Sequence, residues 1–124
     1  MHMDRDSFTR LVTEALDALP DGFRENMDNV EVEVADWPDR ETLRLAGVGN
    51  RTGLLGFYHG IPLTNRTRSY NLVTPDKISI YRQPILRQCR TPEEVRDTVH
   101  HVVRHEVAHY FGIDDSRLRE IGAY

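Results

Sequence analysis

Apolar residues recur along this chain in two different periods, which predict helices and strands in turn. Between Asp6 and Leu19 they return every three or four positions, the stripe of a helix that packs on a core. Pro20-Asp21-Gly22 then ends that helix. Residues 30–35, Val-Glu-Val-Glu-Val-Ala, alternate instead. This alternation predicts a half-buried strand with its glutamates on the outer face.

Two further strands are predicted in the middle of the chain. Leu54 to His59 is one, and Lys77 to Tyr81 alternates well enough to be another. Arg40 to Leu45 is predicted as a short helical turn. Pro84 lacks a backbone N–H, so we expect it to end the last strand or confine that strand to an edge. An edge strand near a binding cleft can pair with an extended peptide.

The C-terminal third contains the most clearly delimited element, a helix from Pro92 to Phe111. Thr91 supplies a capping hydroxyl, Pro92 the first helical position and Glu94 a capping-box carboxylate. At about 1.5 Å per residue the helix is about 30 Å long. Its valines and Ala108 form an apolar side that we expect to face the sheet. A shorter helix is predicted from Ser116 to Ile121.

Composition adds limits to this picture. A chain of 124 residues with 39% hydrophobic and 29% charged residues is typical of one globular domain, here residues 1–124. No apolar run is long enough to span a membrane and no secretory h-region is present, so we expect a cytoplasmic protein. Cys89 is the only cysteine, which excludes an intrachain disulfide and a cysteine zinc cluster. Any metal must therefore be held by histidine and carboxylate.

The predicted long helix ends in a pattern of metal-ligating residues. His105 and His109 stand four residues apart, so their side chains share one face of the helix. Glu106 follows the first histidine, where metalloproteases with this motif place their general base. Gly112 can end the helix, after which Asp115 is placed to be a third ligand and Asp114 competes for that role. One zinc ion held this way keeps a fourth position open for water.

Several other polar residues remain candidates for supporting roles. His101 is interpreted as a surface residue or an outer partner of the ligands, and His100 as solvated. The group that stabilises the oxyanion is left open among His59, Tyr58, Tyr110 and arginines. Residues 66–90 form a basic stretch; its cations are either solvated or a rim that steers an acidic substrate. They are Arg66, Arg68, Lys77, Arg82, Arg87 and Arg90.

The pattern HExxHxxGxxD resembles zincin metallopeptidases with aspartate as third ligand. Residues 54–122 resemble more closely a family of small bacterial zincin-like metallopeptidases, through Leu54–Tyr58, Gly60–Thr64, Lys77–Arg82 and His105–Glu120. This resemblance implies an α+β fold of the minimal zincin type, with few helices packed on a small mixed sheet and the metal site on the C-terminal long helix. No methionine follows the motif, so the floor of the site differs from that of metzincins.

These observations predict a zinc-dependent peptidase, with Glu106 as general base and His105, His109 and Asp115 as ligands of one Zn²⁺. Its expected substrates are peptides or proteins in extended form, with no membrane partner. One alternative is a metal-dependent endoribonuclease, disfavoured by Glu106 and by the net charge of −4. The other is a metal-binding interaction module without turnover. The sequence does not indicate the oligomeric state.

Overall fold

The computed structural model describes residues 1–62 and 76–120, and the side chains up to residue 117. Its helices are α1 (Arg5–Asp17), α2 (Asp21–Arg24), α3 (Arg40–Ala46), α4 (Arg82–Arg87), α5 (Pro92–Tyr110) and α6 (Asp115–Glu120), with a 3-10 turn at Arg51–Gly53. Its strands are β1 (Val30–Ala35), β2 (Gly56–His59) and β3 (Asp76–Tyr81). The predicted small α+β fold, with helices on a mixed sheet, is confirmed.

The three strands form one sheet in the order β1-β3-β2. β3 runs parallel to β1 and antiparallel to β2, with Val32 and Tyr58 both opposite Ile78. Of the two alternatives for Pro84, confinement of β3 to an edge is therefore wrong, whereas β3 does end before the proline, at Tyr81. Chain direction changes at Arg82 instead, and Pro84 is the third residue of α4, where a missing N–H costs no helical hydrogen bond.

One face of the sheet carries the hydrophobic core. Ile78 and Ile80 of β3 are buried there, and α1 and α5 pack together over them. Phe8 is completely buried on α1, as are Val95 and Val99 on α5. Each such side chain contributes roughly 1.5–3 kcal/mol on leaving water. The face of α5 predicted to be apolar is thus the face that anchors the helix.

The opposite face of β1 is polar, as the alternation predicts. Glu31 and Glu33 are exposed, whereas Asp36, at the end of the strand, pairs with Arg82 at 2.9 Å and with Arg5 at 3.3 Å. The hydrogen bond from Arg82 is the main reason that the pKa of Asp36 lies below its usual value. These ion pairs connect the ends of β1, α1 and α4.

Two further cations of the basic stretch also contact other side chains, and neither lines the cleft described below. Lys77 lies 3.4 Å from Glu33, and the guanidinium of Arg87 lies 4.9 Å from the centre of the Trp37 ring. Arg66 and Arg68 fall outside the described residues. Cys89 is buried in the core, with 4% of its surface exposed.

Candidate metal centre

Helix α5 begins and ends with the local hydrogen bonds that its sequence predicts. At the start, the hydroxyl of Thr91 accepts from the N–H of Glu94 at 3.1 Å. At the end, Gly112 has a φ of 81°, a left-handed conformation that glycine adopts without strain. The N–H of Gly112 donates to the carbonyl of His109, and that of Ile113 to the carbonyl of Ala108. The chain therefore turns back directly after the second histidine.

This turn brings Asp115 to the two histidines that precede it. Its Oδ1 lies 3.2 Å from Nε2 of His105 and 2.9 Å from Nε2 of His109. The imidazole rings stand edge to face with their centres 4.5 Å apart. One ligand atom from each of the three residues lies within 4.8 Å of the other two. The predicted ligand set is therefore assembled in space, although its binding of metal stays a prediction.

Asp114 has a different local role from its neighbour. Its Oδ1 accepts a hydrogen bond of 2.9 Å from the N–H of Arg117, in the first turn of α6. A carboxylate at this position satisfies a backbone donor that the helix itself leaves without a partner. The structure thus assigns Asp114 to capping and turns Asp115 towards the histidines.

Glu106 lies beside this group on the side that faces β2. It is buried, with 7% of its surface exposed, and its Oε1 is 3.3 Å from Nδ1 of His109. A Cβ on Gly56 would come within 3.2 Å of Cγ of Glu106 and 2.7 Å of a methyl of Val102. The absence of a side chain at Gly56 therefore permits β2 to approach the carboxylate this closely.

The charges around His109 change its protonation. Its pKa is raised to about 9, first by the hydrogen bond with Glu106 and further by Asp115, against the opposing effect of burial. In the metal-free protein His109 is therefore an imidazolium at neutral pH. A metal ion binds a neutral ring nitrogen, so this proton must leave before His109 can bind a metal ion.

The two remaining histidines of α5 do not join the group of three ligand atoms. His101 is exposed, with its ring centre 6.1 Å from that of His105. His100 is not solvated as expected: its side chain is only 17% exposed and its Nε2 lies 3.5 Å from Glu14 of α1. The packing of α1 against α5, which connects distant parts of the sequence, covers it.

The structure separates the candidates for oxyanion stabilisation. The hydroxyl of Tyr58 donates to Oδ2 of Asp76 at 2.5 Å, so its proton is engaged within the sheet. Tyr110 is buried, with its ring edge-on to Tyr58. His59 lies on the opposite face of β2, with Nε2 3.2 Å from Oγ of Ser79. Of these three residues, Tyr58 alone borders the cleft described next, and its hydroxyl is bonded to Asp76.

A cleft of about 680 Å³ opens over the histidines and is bordered by β2. His105, Glu106, His109, Asp114 and Asp115 form its polar part. The other lining residues are Ala46, Leu54, Gly56, Phe57, Tyr58, Gly60, Pro62, Gly112 and Ile113. Pockets that bind small ligands typically measure about 300–1,000 Å³. The cleft is therefore large enough for a short segment of a peptide.

The donor set fits a zinc ion. Zinc takes imidazole nitrogen and carboxylate oxygen at roughly 2.0–2.2 Å in a tetrahedron, which places ligand atoms about 3.3 Å apart. The two distances from Asp115 to the histidines, 3.2 and 2.9 Å, are close to that spacing. Three protein ligands also leave a position for water, as in catalytic zinc sites.

Sequence reasoning missed two features around this group. Gly56 falls within the strand predicted from Leu54 to His59 without a role of its own, although a glycine in a strand can indicate a close backbone approach. The bond between Tyr58 and Asp76, which lie 18 residues apart, leaves no local signal in the sequence. Gly56 permits β2 to lie next to α5, whereas the bond between Tyr58 and Asp76 joins β2 to β3.

Comparison with known proteins agrees with the geometry. No curated protein matches the chain. Among the described residues, no helix is long and apolar enough to cross a membrane. The model of one family, described as zincin-like metallopeptidase, matches residues 27–123. The matched residues include all three strands, helix α5 and the residues of the candidate metal centre. The chain therefore belongs to the zincin-like metallopeptidase family.

Proposed function

We propose that this protein is a zinc-dependent peptidase that hydrolyses peptides in extended form. The observation that supports it most directly is the group formed by His105, His109 and Asp115, with the carboxylate of Glu106 beside it. All four border one cleft. Membership of a metallopeptidase family supports the class of reaction.

Each polar residue has a role that follows from its position. His105 and His109 would hold the ion through their ring nitrogens, and Asp115 would complete the set from the turn after α5. When bound, zinc would lower the pKa of a water molecule to about 7 and polarise the substrate carbonyl. Glu106 accepts a proton from the attacking water and delivers it to the leaving amine nitrogen.

Two contacts hold Glu106 in position to act as the general base. Its burial against Gly56 restricts the carboxylate to the side of the cleft that β2 borders. Its Oε1 is also held by Nδ1 of His109 at 3.3 Å. A general base must lie within hydrogen-bonding reach of the proton that it removes, and these contacts fix its position relative to the ligand histidines.

The substitution Glu106→Gln tests the proposal. Glutamine keeps the size of the side chain but does not accept a proton at neutral pH. We expect one zinc per chain to remain bound and the kcat for a cleaved peptide to fall by about 10²–10⁴-fold. Metal analysis of the purified variant and an unbiased peptide-library assay give both quantities. Unchanged kcat would remove Glu106 from the mechanism.

The same preparation separates the alternative functions. Zinc-loaded wild-type protein is incubated with a peptide library and, in parallel, with structured RNA. Cleavage of peptide that stops in Glu106→Gln supports the proposal. Cleavage of RNA alone contradicts it in favour of a ribonuclease, and zinc binding without turnover of either substrate indicates an interaction module.

A further inference from the structure

Two residues that line the cleft are held by one buried carboxylate. Tyr58 and Gly60 border the cleft, whereas Asp76 is buried, with 2% of its surface exposed. The hydroxyl of Tyr58 donates to Oδ2 of Asp76 at 2.5 Å. A carboxylate that is removed from water must recover its hydration through hydrogen bonds within the protein. The bond from Tyr58 therefore replaces part of the hydration that Asp76 gives up.

The backbone at Gly60, directly after β2, lies against the same carboxylate. A Cβ added to Gly60 would lie 2.5 Å from Cγ and 2.6 Å from Oδ1 of Asp76. Carbon atoms that are not bonded to each other are optimally about 3.5–4.0 Å apart. A residue with a side chain at this position would therefore push the chain away from Asp76, and the absence of one permits the contact.

The ring of Tyr58 also contacts the helix that carries the proposed ligands. It meets the buried ring of Tyr110 edge to face, with the ring centres 5.8 Å apart. Tyr110 directly follows His109 in α5. Asp76, at the start of β3, pairs with Val30 of β1. One end of the tyrosine is thus attached to the sheet, and its ring is packed against the ligand helix.

These contacts keep one part of the cleft wall in a single arrangement. A tyrosine ring that lines a cleft turns about two side-chain bonds, and each alternative position changes the surface that a substrate meets. Ordering a mobile side chain during binding reduces affinity, and a ring that is already held in place avoids this loss. The bond to Asp76 therefore favours substrate binding although the carboxylate itself is buried.

We propose that Asp76 is a positioning residue, which holds the ring of Tyr58 and the backbone at Gly60 in the shape that binds an extended peptide. This inference rests on the proposed peptidase function and adds to it a residue outside the hydrolytic group. The hydroxyl of Tyr58 is engaged by the carboxylate, so the tyrosine contributes to binding and not to the chemical step. Loss of the bond should therefore raise KM and change kcat little.

Two substitutions test the connection between the residues. Tyr58→Phe removes the hydroxyl alone, and Asp76→Asn removes the charge while it keeps the size of the side chain against Gly60. With zinc-loaded protein and a cleaved peptide, we expect Tyr58→Phe to raise KM by about tenfold, within the range that contacting side chains show in double-mutant cycles. The value of kcat should change by less than about threefold.

The double variant shows whether Asp76 acts through Tyr58. Asp76→Asn should raise KM in the wild-type background and have no further effect in Tyr58→Phe, because the hydroxyl on which it acts is already absent. Effects on KM that multiply in the double variant contradict the positioning role. So does a fall in kcat of about 100-fold in Tyr58→Phe with KM unchanged, which would assign the hydroxyl to the reacting atoms.

Ser79→Ala is the matched control for the loss of a buried hydroxyl from the sheet. Ser79 is 1% exposed on β3, and its hydroxyl donates to Glu33 at 2.9 Å on the opposite face of the sheet. We expect Ser79→Ala to lower the midpoint of urea unfolding and to leave KM unchanged. An equal rise of KM in this control would attribute the effect of Tyr58→Phe to general destabilisation and overturn the proposal.

Binding supplies a second measurement, which does not require turnover. Acetohydroxamate chelates zinc through a small group, whereas trialanine hydroxamate also extends along the cleft. By calorimetry we expect Tyr58→Phe to bind trialanine hydroxamate about tenfold more weakly than the wild-type protein and acetohydroxamate equally well. Equal binding of trialanine hydroxamate by both proteins, or by neither, overturns the positioning role.

The two measurements distinguish the failures. Weaker binding of trialanine hydroxamate in Tyr58→Phe and Asp76→Asn, without cleavage of any peptide by the wild-type protein, supports the positioning role and contradicts the peptidase function. Cleavage with the same KM in every variant overturns the positioning role while the peptidase function stands. If Asp76→Asn does not fold, Tyr58→Phe and its control decide alone.

Discussion

His109 holds a proton that a metal ion must displace. Its pKa of about 9, raised by Glu106 and then by Asp115, is far above the usual 6.5. We therefore expect zinc affinity to rise by up to tenfold for each unit by which the pH increases, until the pH reaches about 9. Near pH 7, about one proton should be released for each zinc ion bound. Competition with a chelator from pH 6.5 to 8.5, and calorimetry in buffers of different ionisation enthalpy, measure the two quantities.

The same proton stabilises the folded, metal-free protein at low pH. Since the folded pKa lies above the unfolded one, protonated His109 stabilises the metal-free protein fully below pH 6.5, and this contribution disappears as the pH rises through 9. His109→Gln should remove this pH dependence from urea-unfolding curves of the metal-free protein. A zinc affinity independent of pH over the same range would contradict the assigned protonation.

The two neighbouring aspartates should respond differently to removal. Asp114→Ala removes the cap of α6 and should cost about 0.5–2 kcal/mol, with one zinc per chain retained. Asp115→Ala removes a ligand, and we expect zinc affinity to fall by more than the roughly 10–100-fold that loss of an outer partner costs. Zinc stoichiometry and urea unfolding of both variants measure this contrast. Equal zinc loss in both would reverse the assignment.

At the scale of elements, the approach of β2 to α5 depends on Gly56. An added methyl group would lie 2.7 Å from Val102 and 3.2 Å from Glu106, and must displace one of them. We expect Gly56→Ala to lower the free energy of unfolding by about 1–3 kcal/mol. Displacement of Glu106 should reduce kcat/KM by roughly 100-fold.

Gly22→Ala provides the control for this substitution. Gly22 lies in α2, where an added Cβ meets nothing within 4 Å, so stability and kcat/KM should stay close to the wild-type values. Urea unfolding and peptide hydrolysis are measured for both variants. If both glycines tolerate alanine equally, the contact between β2 and Glu106 does not position the base.

The elements themselves were predictable where the signal is local. Thr91 and Gly112 bound α5 through hydrogen bonds to residues a few positions away, so its ends are visible in the sequence. The place of β3 was not predictable, because Pro84 breaks a strand equally well at an edge or at the centre of a sheet. Only the pairing with β1 and β2, which requires distant segments, decides between them.

The same distinction applies to the candidate site. His105, Glu106 and His109 share one helix and can be placed by period alone. Asp115 needed the left-handed turn at Gly112, which the sequence also indicates. The burial of His100 by α1 and the bond between Tyr58 and Asp76 depend on tertiary contacts, for which a single sequence carries no periodic signal.

For the whole molecule, zinc should act as a crosslink. The three proposed ligands would connect the last turns of α5 to the first residue of α6, so the ion should bind the folded chain far better than the unfolded one. At free zinc 100 times its Kd, the free energy of unfolding should rise by about 2.7 kcal/mol. Urea unfolding with and without zinc measures this gain. His109→Ala should abolish it, and an undiminished gain in that variant would exclude this ligand set.

The direction of α5 has a consequence for the kind of ion that the site attracts. The backbone dipoles of its 19 residues point the same way and leave partial negative charge at the end that contains His105 and His109. A cation there is favoured by about 0.3–1 kcal/mol before any ligand bond forms. This attraction does not depend on the chemistry of the ion, so it assists cobalt or manganese as much as zinc, and discrimination among them rests on the ligand atoms alone.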